Sequence, residues 1–137
     1  MMLFGEERMG ATMRVVMMIG MVASLVSIAH AATGTATFYT PPYVPSSCYG
    51  YQNNGVMIAA ASDTIWNNRK ACGKTCTVRC TGPTSQGIPQ PCRGSVVVKI
   101  VDYCPPGCAG TIDLSKEAFS KIANPDAGKV KIEYNCV

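Results

Sequence analysis

The chain has 137 residues and a formal net charge of +4, with eight cysteines, nine prolines and thirteen glycines. Its one histidine, His30, lies in the N-terminal segment, so residues 32–137 contain no histidine. This composition excludes Ser-His and Cys-His nucleophile pairs and His-ligated metal sites from that region. A region of about a hundred residues has the length of one small domain rather than two.

The first 31 residues have the pattern of a secretory signal peptide. Arg14 precedes an uncharged, apolar run over residues 15–29, and the run ends in Ala29-His30-Ala31, a small-x-small cleavage motif. The alternative is a membrane anchor, but this run is shorter than the ~20 apolar residues that span a bilayer. We therefore expect residues 1–31 to be removed and residues 32–137 to be secreted as one domain, with no stable membrane insertion.

All eight cysteines lie within residues 32–137, and a secreted domain of this size is expected to form four disulfides. Spacing alone leaves the pairing open, although Cys104-Pro-Pro-Gly-Cys108 suggests one short loop. The alternative is a zinc site made of Cys72, Cys76 and Cys80. The oxidising secretory route and the lack of CxxC pairs disfavour that site, so we predict no metal and no cofactor.

Most segments with a clear pattern predict β-strands. Residues 33–39, 77–80 and 95–101 are rich in β-forming residues, and 95–101 has the strongest strand pattern; residues 56–61 predict either a strand or a buried turn. Apolar residues at helical spacing predict one helix over Leu114–Ala123, with Asp113 or Ser115 as its cap and Asn124-Pro125 as its end. Residues 129–134 alternate as a final half-buried strand. Short strands, one helix and Gly/Pro turns together predict a small, mainly β barrel stabilised by disulfides.

Charge is distributed unevenly along the chain. No acidic residue lies between Asp63 and Asp102. The same interval contains six basic residues: Arg69, Lys70, Lys74, Arg79, Arg93 and Lys99. A basic face of this kind would attract acidic polysaccharide or a membrane surface, and the alternative is a solvated face without a partner. Because aromatic and basic residues are not interleaved, we expect no nucleic-acid binding.

Six segments of the chain resemble the first domain of expansins. They are Thr37–Tyr39, Ser46–Gly50, Ala71–Gly73, Thr77–Cys80, Val98–Pro106 and Thr111–Ala123. Their most specific element is the spacing from Asp102 to Asp113, which leads directly into Leu-Ser. The resemblance covers essentially all of residues 32–137 and is strongest to the endoglucanase-45-like single-domain proteins of plants, which include the plant natriuretic peptides and blight-associated proteins. It implies a six-stranded double-psi β-barrel with one short helix.

The resemblance also implies a disulfide pairing. By similarity to β-expansins, the pairs are Cys48–Cys72, Cys76–Cys136, Cys80–Cys92 and Cys104–Cys108. The second of these bridges would tie the final strand to the barrel.

The resemblance places Asp113 in an open groove as the candidate acid, with Thr37, Tyr39 and Asp102 beside it. Inverting glycosidases use two carboxyl groups about 6.5–9.5 Å apart. The endoglucanase base would follow the first strand, but these positions read Thr40-Pro41-Pro42 and carry no carboxylate. We therefore expect no endoglucanase activity. The alternative is that Asp102 and Asp113 themselves form the pair, and the sequence does not give their distance.

Two further interpretations of these residues remain beside a binding groove. A lone Asp113 with a raised pKa could act as a general acid, as in lytic transglycosylases of similar barrel type. In the structural alternative, Asp113 only caps the helix and Asp102 only ends a strand.

The resemblance implies three functions for this chain. The first is a secreted, apoplastic, non-enzymatic protein that signals through an extracellular receptor in water and ion homeostasis or in stress and defence. The second is a cell-wall polysaccharide-binding module, and the third is a weak lytic enzyme that uses Asp113. Expansins carry a C-terminal cellulose-binding domain, whereas this sequence ends at Val137, so tight cellulose binding is not expected. We expect a monomer.

Overall fold

The computed structural model describes residues 31–85 and 88–137. The predicted signal peptide, apart from Ala31, lies outside the described residues. Within the described ranges, none of the helices has the length and hydropathy that crossing a bilayer requires.

Six strands and two short α-helices make up the described fold. The strands are β1 (Ala32–Tyr39), β2 (Ile58–Ala61), β3 (Thr75–Pro83), β4 (Ser95–Tyr103), β5 (Ile112–Ser115) and β6 (Val130–Cys136). The helices are α1 (Asp63–Trp66) and α2 (Lys116–Ile122), and a 3₁₀ turn covers Pro125–Ala127.

The strands close into a barrel in the order β1-β5-β2-β4-β3-β6. The β1–β5 and β2–β4 pairs are parallel, and the other four pairs are antiparallel. This mixed, closed, six-stranded arrangement with one main helix confirms the predicted double-psi β-barrel. Because the barrel is closed, its strands have no long unpaired edge.

The barrel core follows from alternation along the strands. In β3, Cys76, Val78 and Cys80 point inward while the residues between them are exposed. Helix α2 covers one side of the barrel with its buried residues Ala118, Phe119 and Ile122, and the Phe119 ring lies 5.0 Å from that of Phe38. The helix thus packs on the barrel through its apolar face.

The helix begins later than the sequence predicts. Residues Ile112–Ser115 form β5, and α2 starts at Lys116 with Ser115 as its N-cap, whose Oγ accepts a hydrogen bond from Ala118 N (3.0 Å). The prediction that Asp113 is a candidate helix cap is therefore wrong. Ile112 and Leu114 are fully buried on either side of Asp113, so the strand alternation and the pairing with β1 determine the local structure. Residues 58–61 of the ambiguous 56–61 segment form a strand.

Four disulfides are present, as expected for a secreted domain of this composition. They join Cys48 to Cys72, Cys76 to Cys136, Cys80 to Cys92 and Cys104 to Cys108, which are the pairs that the resemblance implies. The bridge between Cys76 and Cys136 connects directly paired residues of β3 and β6. It therefore ties the final strand into the barrel.

Candidate functional site

A row of four residues crosses four neighbouring strands. Asp113 in β5 pairs with Thr37 in β1 on one side and with Ala60 in β2 on the other. Ala60 pairs in turn with Asp102 in β4. Paired residues of neighbouring strands project from the same face of a sheet, so the row Thr37–Asp113–Ala60–Asp102 lies on one face of the barrel wall. The register thus brings together three polar residues that the resemblance assigns to the groove.

The small side chain of Ala60 separates the two carboxylates. Ala59 and Ala61 are fully buried in the barrel core, whereas Ala60 lies outside that core cluster and keeps a small exposed fraction of 5%. With neighbouring strands about 4.8 Å apart, the Cα atoms of Asp102 and Asp113 are separated by roughly 10 Å. Ala60 therefore separates the two aspartates on the outer face of the barrel wall, and we call this part of the face, from Thr37 to Asp102, the groove.

Asp113 is held by the first strand of the barrel. The Thr37 hydroxyl donates a hydrogen bond to Asp113 Oδ1 at 2.9 Å, and both residues are half-buried. Burial raises the pKa of Asp113 above its ordinary value of 3.8, the Thr37 hydrogen bond opposes this shift, and the charge of Asp102 adds to it. Asp113 thus keeps its proton to a higher pH than an exposed aspartate, which is a property of a general acid.

Asp102 is anchored to the loop that follows β1. Its Oδ1 accepts hydrogen bonds from the backbone N–H groups of Ser47 and Tyr103, both at 2.9 Å. One carboxylate oxygen of Asp102 is therefore occupied by the protein. Asp102 is the penultimate residue of β4 and lies in the row beside Ala60.

Tyr39 lies two residues beyond Thr37 and so on the same side of β1. Its hydroxyl oxygen is buried and has no hydrogen-bond partner among the described residues. Burial and the charges of Asp102 and Asp113 raise the pKa of Tyr39 above its ordinary range. Because buried hydroxyls are normally hydrogen-bonded, this unpartnered oxygen is an exception within the site.

Sequence reasoning missed Tyr43, which packs against Tyr39. The two rings lie 5.2 Å apart in an edge-to-face arrangement. The Tyr43 hydroxyl donates to the Glu117 carboxylate and accepts from Lys116 N, at the start of α2. Burial and the Glu117 hydrogen bond raise the pKa of Tyr43 to about 12. Tyr43 lies in the Pro-rich segment 41–47, whose composition predicts only a loop. No local pattern in the sequence therefore indicates this contact.

Several residues of the predicted basic stretch have partners within the protein. Arg79 forms an exposed salt bridge with Glu133 (2.7 Å). Lys99 Nζ donates to Asn54 Oδ1 (2.9 Å) and lies 4.4 Å from the Tyr49 ring centre. Arg79 and Lys99 are thus engaged in contacts within the protein. Ion pairs between exposed side chains add little to stability.

A third cation, Arg69, also contacts the protein. Its guanidinium donates to the Ser47 carbonyl at 2.8 Å and lies 6.0 Å from the Trp66 ring centre. The Trp66 ring in turn lies 4.9 Å from that of Tyr103.

Among the described residues, no group of three His, Cys, Asp or Glu side chains is arranged to hold a metal ion.

Comparison with known proteins identifies the family. The family model described as "Lytic transglycolase" matches residues 58–134. The chain is 64% identical over 129 residues to an EG45-like domain containing protein of Citrus jambhiri, covering 93% of this chain and 98% of that protein. It is 42% identical over 121 residues to EG45-like domain containing protein 2 of Arabidopsis thaliana, covering 88% and 92% of the two chains.

A solved structure shows the same barrel. The crystal structure of a mutant Clavibacter michiganensis expansin in complex with cellohexaose superposes with a TM-score of 0.62 and 27% sequence identity. The match covers 79% of this chain and 50% of that chain, so this chain spans about half the length of the expansin. With its six-stranded barrel and these relatives, the chain belongs to the EG45-like, expansin-like family of double-psi β-barrel proteins.

Proposed function

We propose that residues 32–137 form a secreted, expansin-like domain that binds cell-wall polysaccharide in the groove around Asp113 and does not hydrolyse it. The observation that carries the proposal is the row Thr37–Asp113–Ala60–Asp102, in which one small residue separates two half-buried carboxylates on the outer face of the barrel wall. An expansin whose structure contains cellohexaose has the same barrel, which supports a glycan as the ligand.

The chemistry of the groove suits glycan hydroxyl groups. The carboxylates of Asp102 and Asp113 accept hydrogen bonds from hydroxyls, and hydrogen bonds to charged groups are stronger than those between neutral groups. The small side chain of Ala60 separates the two acids.

The same groove lacks a component of an inverting hydrolase. The residues that follow β1, Thr40–Pro42, carry no carboxylate to activate water. Asp102 has one oxygen bound to two backbone N–H groups and lies across Ala60 from Asp113. These features favour binding without hydrolysis.

The raised pKa of Asp113 supports a weak lytic reaction as the alternative. In such a reaction the protonated Asp113 would give its proton to the leaving glycosidic oxygen. A measurement of newly formed sugar ends would distinguish this reaction from binding alone, because only a lytic protein releases them.

Calorimetric titration of the protein, purified from the secretory pathway, with cellohexaose tests the proposal. We expect Asp113→Ala to weaken binding by roughly tenfold, because it removes a charged hydrogen-bonding group. The matched control Asp126→Ala removes an exposed carboxylate from the 3₁₀ turn and should bind like the wild type. Equal affinities for Asp113→Ala and wild type would refute the groove, and sugar release that disappears in Asp113→Ala would refute the non-enzymatic assignment.

Secretion is tested on the same material. Removal of residues 1–31 would give a mature protein whose mass corresponds to a chain beginning at Ala32, with no free thiol. A full-length chain with free thiols would contradict both the signal peptide and the extracellular location.

Receptor-mediated signalling in water and ion homeostasis, stress or defence is the second candidate. The observation that favours it is the exposure of Tyr51, whose accessible fraction is 80%, in the loop between β1 and β2. A signalling surface there predicts that the physiological response survives Asp113→Ala and is lost in Tyr51→Ala. The opposite result would place the response in the groove.

A further inference from the structure

The loop between β1 and β2 contains a chemically labile pair of residues, Asn54-Gly55. Asn54 is the only asparagine of the chain that a glycine follows. In such a pair the backbone nitrogen of the glycine can attack the side-chain amide carbon of the asparagine, because glycine has no Cβ to hinder the approach. Gly55 is exposed, has a φ of +77°, and has open space where a Cβ would stand. The attacking residue is therefore unobstructed and accessible to water.

A lysine ammonium contacts the amide that would react. Lys99 Nζ, from β4, donates a hydrogen bond to Asn54 Oδ1 at 2.9 Å. The same half-buried ammonium lies 4.4 Å from the Tyr49 ring centre, and this cation–π contact holds it in place. Attack on the amide carbon would place negative charge on Asn54 Oδ1, and a positioned cation at that oxygen stabilises such charge. The Lys99 contact thus favours the transition state of the attack over the neutral amide.

The remaining contacts of the pair lie within the loop itself. Gly55 N donates to Asn53 Oδ1 at 2.8 Å, and Asn54 Nδ2 donates to the Gln52 carbonyl at 3.3 Å. Both are exposed hydrogen bonds between near neighbours, and water replaces such bonds at little cost. A local movement of the loop can therefore bring Gly55 N to Asn54 Cγ while Lys99 stays on Oδ1.

We infer that Asn54 is a self-modification site, at which the folded protein converts the amide to aspartate and isoaspartate with acceleration by Lys99. Gly55 N forms a bond to Asn54 Cγ, its proton passes through water to Nδ2, and the Cγ–Nδ2 bond breaks to release ammonia. Water then cleaves the cyclic imide at Cγ, which gives aspartate, or at the main-chain carbonyl carbon, which gives isoaspartate. Each conversion consumes one water and lowers the net charge of +4 by one. The inference is independent of glycan binding in the groove.

The two products hold the loop differently. Isoaspartate adds one carbon atom to the backbone, about 1.5 Å of chain, two residues before Val56. The Val56 carbonyl accepts a hydrogen bond from the buried Ser115 Oγ at the start of α2. The added atom shifts this carbonyl away from Ser115, whereas the aspartate product keeps the backbone and places a carboxylate beside Lys99. We therefore expect only the isoaspartate form to lose the connection between the loop and the helix.

Ageing of the purified protein in mildly alkaline buffer, followed by mass spectrometry of the peptide that contains Asn54, tests the inference. We expect the wild type to convert roughly tenfold faster than Lys99→Met, which removes the cation from Oδ1 and keeps most of the side-chain length. The matched control Lys74→Met removes an exposed lysine elsewhere and should convert like the wild type. Gly55→Ala keeps Lys99 and should slow conversion at least about tenfold, because the new Cβ hinders the attack.

Chromatography separates the two products for thermal melting. The isoaspartate form should melt about 5 °C below the fresh protein, and the aspartate form within about 2 °C of it. Conversion of Lys99→Met at or above the wild-type rate would overturn the role of Lys99. Wild-type conversion by Gly55→Ala would overturn the cyclic route, and an isoaspartate form that melts with the fresh protein would overturn the link to Ser115. An Asn54 that converts in urea-unfolded protein and stays intact in the folded protein would overturn the inference as a whole.

Discussion

Ser115 links helix α2 to the loop between β1 and β2, and its removal has a predictable energetic effect. The Ser115 side chain is fully buried. Its Oγ accepts a hydrogen bond from Ala118 N at 3.0 Å and donates one to the Val56 carbonyl. In Ser115→Ala, loss of the helix cap costs about 1 kcal/mol. Loss of the hydrogen bond to Val56 costs about 1 kcal/mol more. For a domain of this size the total lowers Tm by roughly 10 °C.

Thermal unfolding followed by circular dichroism measures this effect. The control Ser120→Ala, in the same helix, removes only a local hydrogen bond from Ser120 Oγ to the Lys116 carbonyl at 2.8 Å. We expect that control to stay within about 0.5 kcal/mol of the wild type. If Ser115→Ala and Ser120→Ala unfolded at the same temperature, the argument that one hydroxyl joins the helix to the loop would be refuted.

Three further predictions concern the groove and the disulfides. Burial raises the pKa of Asp113 above 3.8 in the folded state, so ionisation of this carboxyl destabilises the fold as pH rises through the folded pKa. Asp113→Asn should therefore raise Tm at pH 7 and give no gain in Tm below pH 3.8. Thermal melting across a pH series would measure this difference. In Gly110→Ala the new Cβ would lie 2.9 Å from Thr37 Oγ1, so Thr37 must move and we expect cellohexaose to bind about fivefold more weakly in calorimetry. Replacing Cys76 and Cys136 by serine opens a link across 60 residues and should cost about 4 kcal/mol in denaturant unfolding.

Each of these variants has a matched control. Asp126→Asn changes an exposed carboxylate and should not alter the pH dependence of Tm. Gly82→Ala adds a Cβ with no atom within 4 Å and should leave binding unchanged. Removal of the Cys104–Cys108 bridge, with a separation of 4 residues, should cost only about 2 kcal/mol. The first prediction would be contradicted if Asp113→Asn changed Tm equally at every pH. The second would be contradicted if Gly110→Ala bound cellohexaose as tightly as the wild type. The third would be contradicted if removal of the Cys104–Cys108 bridge cost more stability than removal of the Cys76–Cys136 bridge.

Strands with strong local patterns could be predicted from the sequence, whereas β5 could not. Residues 95–101 are almost entirely β-branched, and 129–134 alternate, so each predicts a strand without tertiary information. Leu114, in contrast, has helical spacing to Ala118 and Ile122 and alternates with Ile112 as well. Pairing of β5 with β1, 76 residues away, decides between these patterns, and no local signal reports that pairing.

The groove was predictable only in part. The resemblance names Thr37, Asp102 and Asp113, but their row depends on the register through Ala60, an alanine that no chemical motif singles out. The contact between Tyr39 and Tyr43 depends on the path of a Pro-rich loop. Loop paths arise from long-range packing rather than from the spacing of residues, so this contact could not be predicted.

Insertion of β6 between β1 and β3 has a consequence for biogenesis. A nascent chain presents β1 first, while both of its neighbours, β5 and β6, are synthesised near the end, so the barrel cannot close during translation. Cys76 likewise meets Cys136 only after the last strand has emerged. Such distant pairings fold slowly, and the early thiols are exposed to wrong partners meanwhile. Efficient production should therefore depend on disulfide isomerases and on chaperones that hold the unfinished chain.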